Sequence, residues 1–306
     1  MADPFEKFRE TCLYEAHAAC PRVIEELRSL GTEATEQGRR RERLGRVGCF
    51  SLVAAVVVPF VLVLLAAGSD SGVAMVLVTT PLALVLVLVG LGAYGVRAMG
   101  GRPLPPVEGR RHELVSRVLR LLQADMSPTE PVSLRLDLRP EGQDAQLVGT
   151  SKTPRGWIVK RYVEPWLTLQ GRLVDGTHFR LDMTERAALR SRSKQGLSRM
   201  KHKSKRSADT TLRVRLRVKP ERYPELERWG GAAGGAVKLP PGAVLKSLDV
   251  TADRVDLLVR LTLPWTPRPG EAPSVSGTQV VAMTFLSLYQ FLNRARELGK
   301  RARTAG

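Results

Sequence analysis

Residues 211–219, TLRVRLRVK, alternate an apolar side chain with a charged one throughout the segment after its first residue. Successive side chains of a β-strand point to opposite faces, so the pattern predicts a strand with one face in a core and one in solvent. Arg213, Arg215 and Arg217 share the outward face, where neighbours are about 6.8 Å apart. The segment therefore predicts a strand-rich domain that carries a ladder of positive charge.

This ladder has two interpretations. Its arginines either bind an anion or pair with acidic side chains on neighbouring strands, and cross-strand pairs of opposite charge stabilise a sheet. Asp182 and Glu185 are the acidic candidates, since both lie in the preceding predicted strand region.

A strongly basic segment, residues 190–206 (RSRSKQGLSRMKHKSKR), precedes the ladder and contains no acidic or aromatic residue. Its cations are Arg190, Arg192, Lys194, Arg199, Lys201, Lys203, Lys205 and Arg206. It is either a solvated loop or long hairpin tip, a docking segment for anionic lipid headgroups, or a binding segment for nucleic acid or an acidic protein. Because stacking aromatics are absent, we expect it to bind anions by charge density and not to read single strands.

Further segments with strand-like alternation surround these two. They are residues 132–139, 157–164, 166–174, 177–184, 244–250 and 253–265. Asp175-Gly176 is a strong hairpin turn between two of them. We predict an antiparallel, sandwich or barrel-like β-rich domain over residues 129–270, on which a C-terminal helix in residues 274–306 packs.

Two apolar runs, residues 48–68 and 73–96, are each long enough to cross a bilayer as a helix. Arginines precede the first run and follow the second, which predicts that both termini are cytoplasmic in a multi-pass protein of the bacterial inner membrane. Pro59 and Pro81 lie inside the runs and are candidate kink points.

These observations predict a membrane protein of the α+β class. Residues 1–46 are expected to be a cytoplasmic helical segment, 47–97 a transmembrane helical hairpin, and 98–128 a linker with a short helix. The β-rich domain and its C-terminal helix then complete the cytoplasmic part.

Motifs for catalysis are missing from the sequence. It contains no phosphate-binding glycine loop and no Gly-x-Ser-x-Gly nucleophile motif, and its four histidines lack metal-ligand spacing. The sequence therefore indicates no catalytic, cofactor-binding or metal-binding residue, predicts no cofactor, and favours a non-enzymatic protein.

The formal net charge of +18 indicates an anionic partner or surface. The leading hypothesis is an integral inner-membrane protein whose hairpin anchors a basic β-rich domain that binds anionic lipids, an acidic protein or nucleic acid. The alternative is an oligomerising or pore-forming two-span membrane effector, and a homo-oligomer is compatible with either.

Overall fold

The computed structural model describes residues 8, 11–32, 36, 43, 109–139, 146–195, 200–224, 226–230, 235, 237–268 and 274–304. The chain divides into two compact units, Met1–Ser29 with Pro106–Gly306, and Leu30–Pro105. The second unit lies almost wholly outside the described residues, so the fold below is that of the first.

Ten strands and three helices organise this part of the chain. The strands are β1 (Leu13–Ala19), β2 (Pro131–Asp137), β3 (Leu147–Lys152), β4 (Ile158–Arg172), β5 (His178–Gln195), β6 (Met200–Arg217), β7 (Ala243–Val250), β8 (Arg254–Leu261), β9 (Trp265–Thr266) and β10 (Val275–Ser276). The helices are α1 (20–32), α2 (Gly109–Gln123) and α3 (Gly277–Thr304), with a 3₁₀ turn at Leu226–Trp229.

Eight strands form one antiparallel sheet in the order β1-β2-β4-β5-β6-β8-β7, with β3 added beside β4. Strands β9 and β10 form a separate parallel pair. The predicted sandwich or barrel is wrong for the described residues, because helices and not a second large sheet cover the apolar face.

The core lies between one face of the sheet and helices α2 and α3. Alternate residues of β6, namely Leu212, Val214 and Leu216, are fully buried on this face. The ring of Phe179 on β5 meets that of Phe285 on α3 edge to face, at 5.8 Å between centroids. We call the opposite, polar side of the sheet the open face.

A buried ionic cluster joins α2 to the middle of the sheet. Glu164 on β4 and Glu185 on β5 lie directly opposite each other and are almost completely buried. Arg111, fully buried, places Nη2 2.9 Å from Glu164 Oε2 and 3.3 Å from Glu185 Oε2. Arg110 pairs with the same Glu185 at 3.3 Å. Two cations, of which only Arg111 is fully buried, therefore balance two buried carboxylates.

Two tryptophans stack beside the cluster. The rings of Trp166 and Trp265 are nearly parallel, with centroids 5.5 Å apart. The guanidinium of Arg110 lies 4.8 Å from the Trp265 ring and that of Arg111 lies 5.3 Å from the Trp166 ring. The four side chains therefore stack in the order Arg110, Trp265, Trp166, Arg111. The stack adds cation–π contacts to the ionic ones and fixes the position of α2.

The N-terminal segment differs from the predicted helix. A helical turn ends at Cys12, whose φ of 55° is in the left-handed region, and β1 then pairs with β2 before helix α1 begins. The apolar residues of this short segment fit the period of a helix as well as that of a strand. The segment forms a strand because it pairs with the backbone of β2. Tyr14 on β1 donates a hydrogen bond to Glu26 of α1 at 2.7 Å, and burial together with this bond raises its pKa.

The predicted membrane architecture is not supported. Among the described residues, no helix combines the length and the apolar character that crossing a membrane requires. Helix α2 carries charged residues along its length, helix α3 carries them from Arg294 onward, and the fold is mostly antiparallel sheet. The fold class built on a transmembrane hairpin is therefore wrong, as are the inner-membrane location with cytoplasmic termini, the anchored function and the pore-forming alternative. The apolar runs 48–68 and 73–96, with Pro59 and Pro81, lie outside the described residues.

We predict that Arg111→Met lowers the free energy of unfolding by about 3–5 kcal/mol, because it leaves two buried carboxylates without their main counter-charge. Urea denaturation followed by tryptophan fluorescence measures the change. Arg117→Met is the matched control, since Arg117 makes a half-exposed pair with Glu113 on the same helix and its loss costs less than about 1 kcal/mol. Equal effects of the two substitutions would contradict the structural role of the cluster.

Candidate anion-binding site

Strands β5 and β6 form the longest hairpin of the sheet, and their pairing extends beyond their neighbours. Their register runs without a break from His178 opposite Arg217 to Gln195 opposite Met200. Strand β4 flanks β5 only as far as Ser191, and β8 flanks β6 only as far as Thr210. The hairpin is therefore two-stranded only beyond the Ser191–Ser204 pair, since β4 still flanks β5 up to Ser191. We call residues 190–195 and 200–205 the ribbon.

Burial along β6 shows where the core ends. Core-facing side chains are buried down to Thr210, whereas the side chains from His202 to Ala208 are exposed on both faces of the strand. The sequence leaves a solvated loop or long hairpin tip open for residues 190–206 beside the two binding interpretations, and the structure places residues 190–195 and 200–206 in strands. The backbone pairing, and not apolar burial, defines this part of the hairpin.

One face of the ribbon carries its cations. Arg190 lies opposite Lys205, and Arg192 lies opposite Lys203. Opposite residues share a face, as do residues two apart on one strand, so these four side chains point to the same side. We call them the cationic face. By the same alternation it continues the side of β6 that forms the open face of the sheet.

When no anion is bound, the four cations of the cationic face repel one another. Like charges directly opposite each other destabilise an antiparallel pair by a few tenths of a kcal/mol or more. Within the described part of the chain, no acidic side chain forms an ion pair with any of the four. The arrangement therefore leaves a concentrated positive field that an external anion can neutralise.

The other face of the ribbon is polar and mostly uncharged. Ser191 lies opposite Ser204, and Ser193 lies opposite His202. The Ser193 hydroxyl and His202 Nδ1 share a hydrogen bond of 2.8 Å across the two strands. Arg206, which lies opposite Leu189, belongs to this side and not to the cationic face. The two faces are thus chemically distinct.

The arginine ladder of β6 is neutralised. Arg213 Nη2 lies 2.6 Å from Asp256 Oδ2, and Arg217 Nε lies 3.3 Å from Asp253 Oδ2. Arg215 lies 3.3 Å from Asp182 and 3.5 Å from Asp256. The hydrogen bond with Asp256 raises the pKa of Arg213. Of the two interpretations of the ladder, the pairing one is supported.

The sequence predicts only one of the acidic partners of the ladder correctly. Asp182 pairs with Arg215 as expected, but Glu185 points to the opposite side and belongs to the buried cluster. Charged residues at core-facing positions of apolar strands are the signal that marks Glu164 and Glu185 in the sequence. Asp209, which pairs with Arg260 at 2.8 Å, separates the neutralised ladder from the cationic face.

The remaining predicted cations are Lys194, Lys201 and Arg199. Lys194 and Lys201 lie opposite each other in the register that extends the two cation pairs, and only their backbone is described. Arg199 lies outside the described residues. Of the predicted cations, the structure therefore brings Arg190, Arg192, Lys203 and Lys205 together on one surface.

A cleft of about 410 Å³ on the open face offers a second arginine-rich surface. Its arginines are Arg172, Arg180, Arg215, Arg217 and Arg254. Each of the five pairs with a carboxylate, such as that of Glu130 for Arg172 at 3.2 Å. The cleft therefore has far less excess positive charge than the ribbon.

Metal binding receives no support within the described ranges, where no group of three or more His, Cys, Asp or Glu side chains has a metal-binding arrangement. Comparison with known proteins gives no further direction. No protein family, curated protein or solved structure matches the chain. The ribbon is thus the feature on which a function can be argued.

We predict that the sheet folds without the end of the ribbon. Replacing residues 192–203 by Asn-Gly joins the paired residues Ser191 and Ser204 through a two-residue turn. The free energy of unfolding should change by about 1 kcal/mol or less, because the deleted side chains that are described lie outside the core. Urea denaturation of the full chain measures this change.

Leu212→Ala serves as the control for this deletion. Leu212 is fully buried where β6 crosses the core, and its truncation should cost about 2–5 kcal/mol. Loss of cooperative unfolding in the ribbon deletion would show that residues 192–203 are part of the packed fold.

Proposed function

We propose that this protein binds a polyanion through the cationic face of its ribbon. The observation that carries the proposal is the register of β5 and β6, which aligns Arg190 with Lys205 and Arg192 with Lys203 outside the core. Four cations close together and away from acidic partners are repulsive in the free protein and favourable once an anion is bound.

The location of the cations supports binding over a general solubility role. Lysines on an exposed edge strand also prevent edge-to-edge aggregation. Here the cations of both strands face the same side in two successive cross-strand pairs, and the opposite side is mostly hydroxyl and imidazole. Protection of an edge does not require this segregation.

The shape of the site indicates a polymer and not a small anion. Cross-strand neighbours are about 5 Å apart and neighbours along a strand about 6.8 Å apart, so the four charges cover a narrow strip. The strip is exposed and has no enclosing walls among the described residues, whereas small-molecule sites are concave. Repeated anionic groups on a chain can contact several cations at once.

Inorganic polyphosphate tests this proposal without assuming a biological partner. Arg190, Arg192, Lys203 and Lys205 are all replaced by Gln in the full chain, and binding is measured by fluorescence anisotropy of a labelled polyphosphate. We expect binding at least about tenfold weaker, the effect of losing several exposed charge contacts of a few tenths of a kcal/mol each. Binding of the parent should also weaken as salt rises.

The matched control removes four positive charges elsewhere. Arg28, Arg120, Lys238 and Lys246 are exposed, lie outside the ribbon and are likewise replaced by Gln. This variant has the same net charge as the ribbon variant and should bind within about twofold of the parent. Equal weakening in both variants would show that overall charge, and not the ribbon, controls binding, and would contradict the proposal.

A further inference from the structure

We infer that the polyanion is double-stranded DNA, which the ribbon contacts from within the major groove. This inference rests on the proposed function and names the partner for the same site. It follows from the dimensions of the ribbon, the chemistry of its two faces and the absence of stacking side chains.

The dimensions of the ribbon fit a groove. The major groove of B-form DNA is about 12 Å wide and accommodates a two-stranded β-ribbon, whereas the minor groove is about 6 Å wide. Beyond the Ser191–Ser204 pair, no third strand among the described residues flanks the hairpin. This two-stranded end, residues 192–195 paired with 200–203, is about 10 Å long at the usual rise per residue, less than one third of a helical turn of DNA.

Both faces of the ribbon are polar, which suits an element surrounded by DNA. The cationic face can contact the phosphate oxygens that border the groove, for which Arg and Lys are common partners. Ser191, Ser193 and Ser204 on the other side can donate to phosphate oxygens. In a groove, each face and both edges of the ribbon meet hydrogen-bonding groups.

A lipid surface fits this chemistry less well. Amphipathic elements that insert into a membrane interface combine cations with an apolar face that enters the acyl boundary. The described side chains of the ribbon place serines and His202 opposite the cations instead. An acidic protein partner is also disfavoured, because protein interfaces usually depend on buried aromatic anchors. The sequence has no aromatic residue between Phe179 and Tyr223.

The same lack of aromatics separates duplex from single strand. Proteins that hold single strands stack bases on aromatic rings, and each stack contributes about 1–3 kcal/mol. The ribbon has no ring system except that of His202, which is engaged with Ser193. Duplex RNA is disfavoured for a geometric reason, because its major groove is deep and narrow. Binding should therefore be strongest to B-form DNA and largely independent of its sequence.

The test compares four labelled probes against the full chain: duplex DNA, single-stranded DNA, duplex RNA of the same sequence, and phosphatidylserine vesicles. We expect duplex DNA to bind at least about tenfold more tightly than single-stranded DNA or duplex RNA. For duplex DNA, the plot of log affinity against log salt should become shallower by about 3.6 in the four-residue Gln variant, or about 0.9 for each lost phosphate contact. The variant that removes four charges elsewhere should keep the parent slope.

Groove choice is tested by competition. A major-groove ligand such as methyl green should compete with the protein for duplex DNA, and a minor-groove ligand such as distamycin should not. Competition by distamycin alone would overturn the inference, as would duplex RNA, single strands or vesicles binding as tightly as duplex DNA. If polyphosphate binds through the ribbon and duplex DNA shows no preference, the partner is wrong and the proposed function stands. If neither polyphosphate nor DNA binds, both fail.

Discussion

The interior of the fold depends on the neutralisation of Glu164 and Glu185 by Arg111. The two carboxylates face each other across the central strands β4 and β5, where burial would make their charges very unfavourable. Arg111 lies within 3.3 Å of both and brings helix α2 onto the sheet. Because the contact requires a particular position of the helix and a particular register of the strands, it specifies the packing as well as stabilising it.

The same two strands connect this interior to the ribbon. Glu185 lies in β5 five residues before Arg190, and no break in pairing occurs between them. An ordered core therefore gives the ribbon a rigid base without the ribbon contributing burial of its own. The orientation of the cationic face follows from strand alternation that begins in the core.

Arginine has three different roles along this path. Arg111 is buried and balanced by carboxylates, Arg213 is partly exposed and bonded to Asp256, and Arg190 lies opposite another cation. The first two lower the free energy of the folded chain, whereas the third raises it slightly until an anion is bound. Exposure and charge alone do not distinguish Arg213 from Arg190. The position of the neighbouring aspartate distinguishes them, because Arg213 pairs with Asp256.

Sequence reasoning recovered the strands that border the core because one side of each is apolar. Strands β7 and β8 and the core parts of β5 and β6 follow the predicted segments, whereas segments 157–164 and 166–174 form one continuous strand, β4. The Asp175-Gly176 turn is confirmed, with a φ of 86° at Gly176. Alternation could not show how far β5 and β6 continue, since neither face of the ribbon is apolar. It also failed for β1, where pairing with β2 overrides a sequence compatible with a helix. The apolar runs 48–68 and 73–96 met the length criterion for a membrane span, but they lie outside the described residues, and no described helix is long and apolar enough to cross a membrane, so the membrane prediction was wrong.

Residues 190–195 and 200–205 form a paired ribbon although its cations repel one another. Hydrogen–deuterium exchange of the amides in residues 200–207 of the full chain, without any ligand, tests this most directly. Paired amides should exchange more slowly than those of an unstructured peptide, and more slowly still as rising salt screens the four cations. Exchange at the unstructured rate at every salt concentration would show that the segment is a solvated loop and would contradict the account.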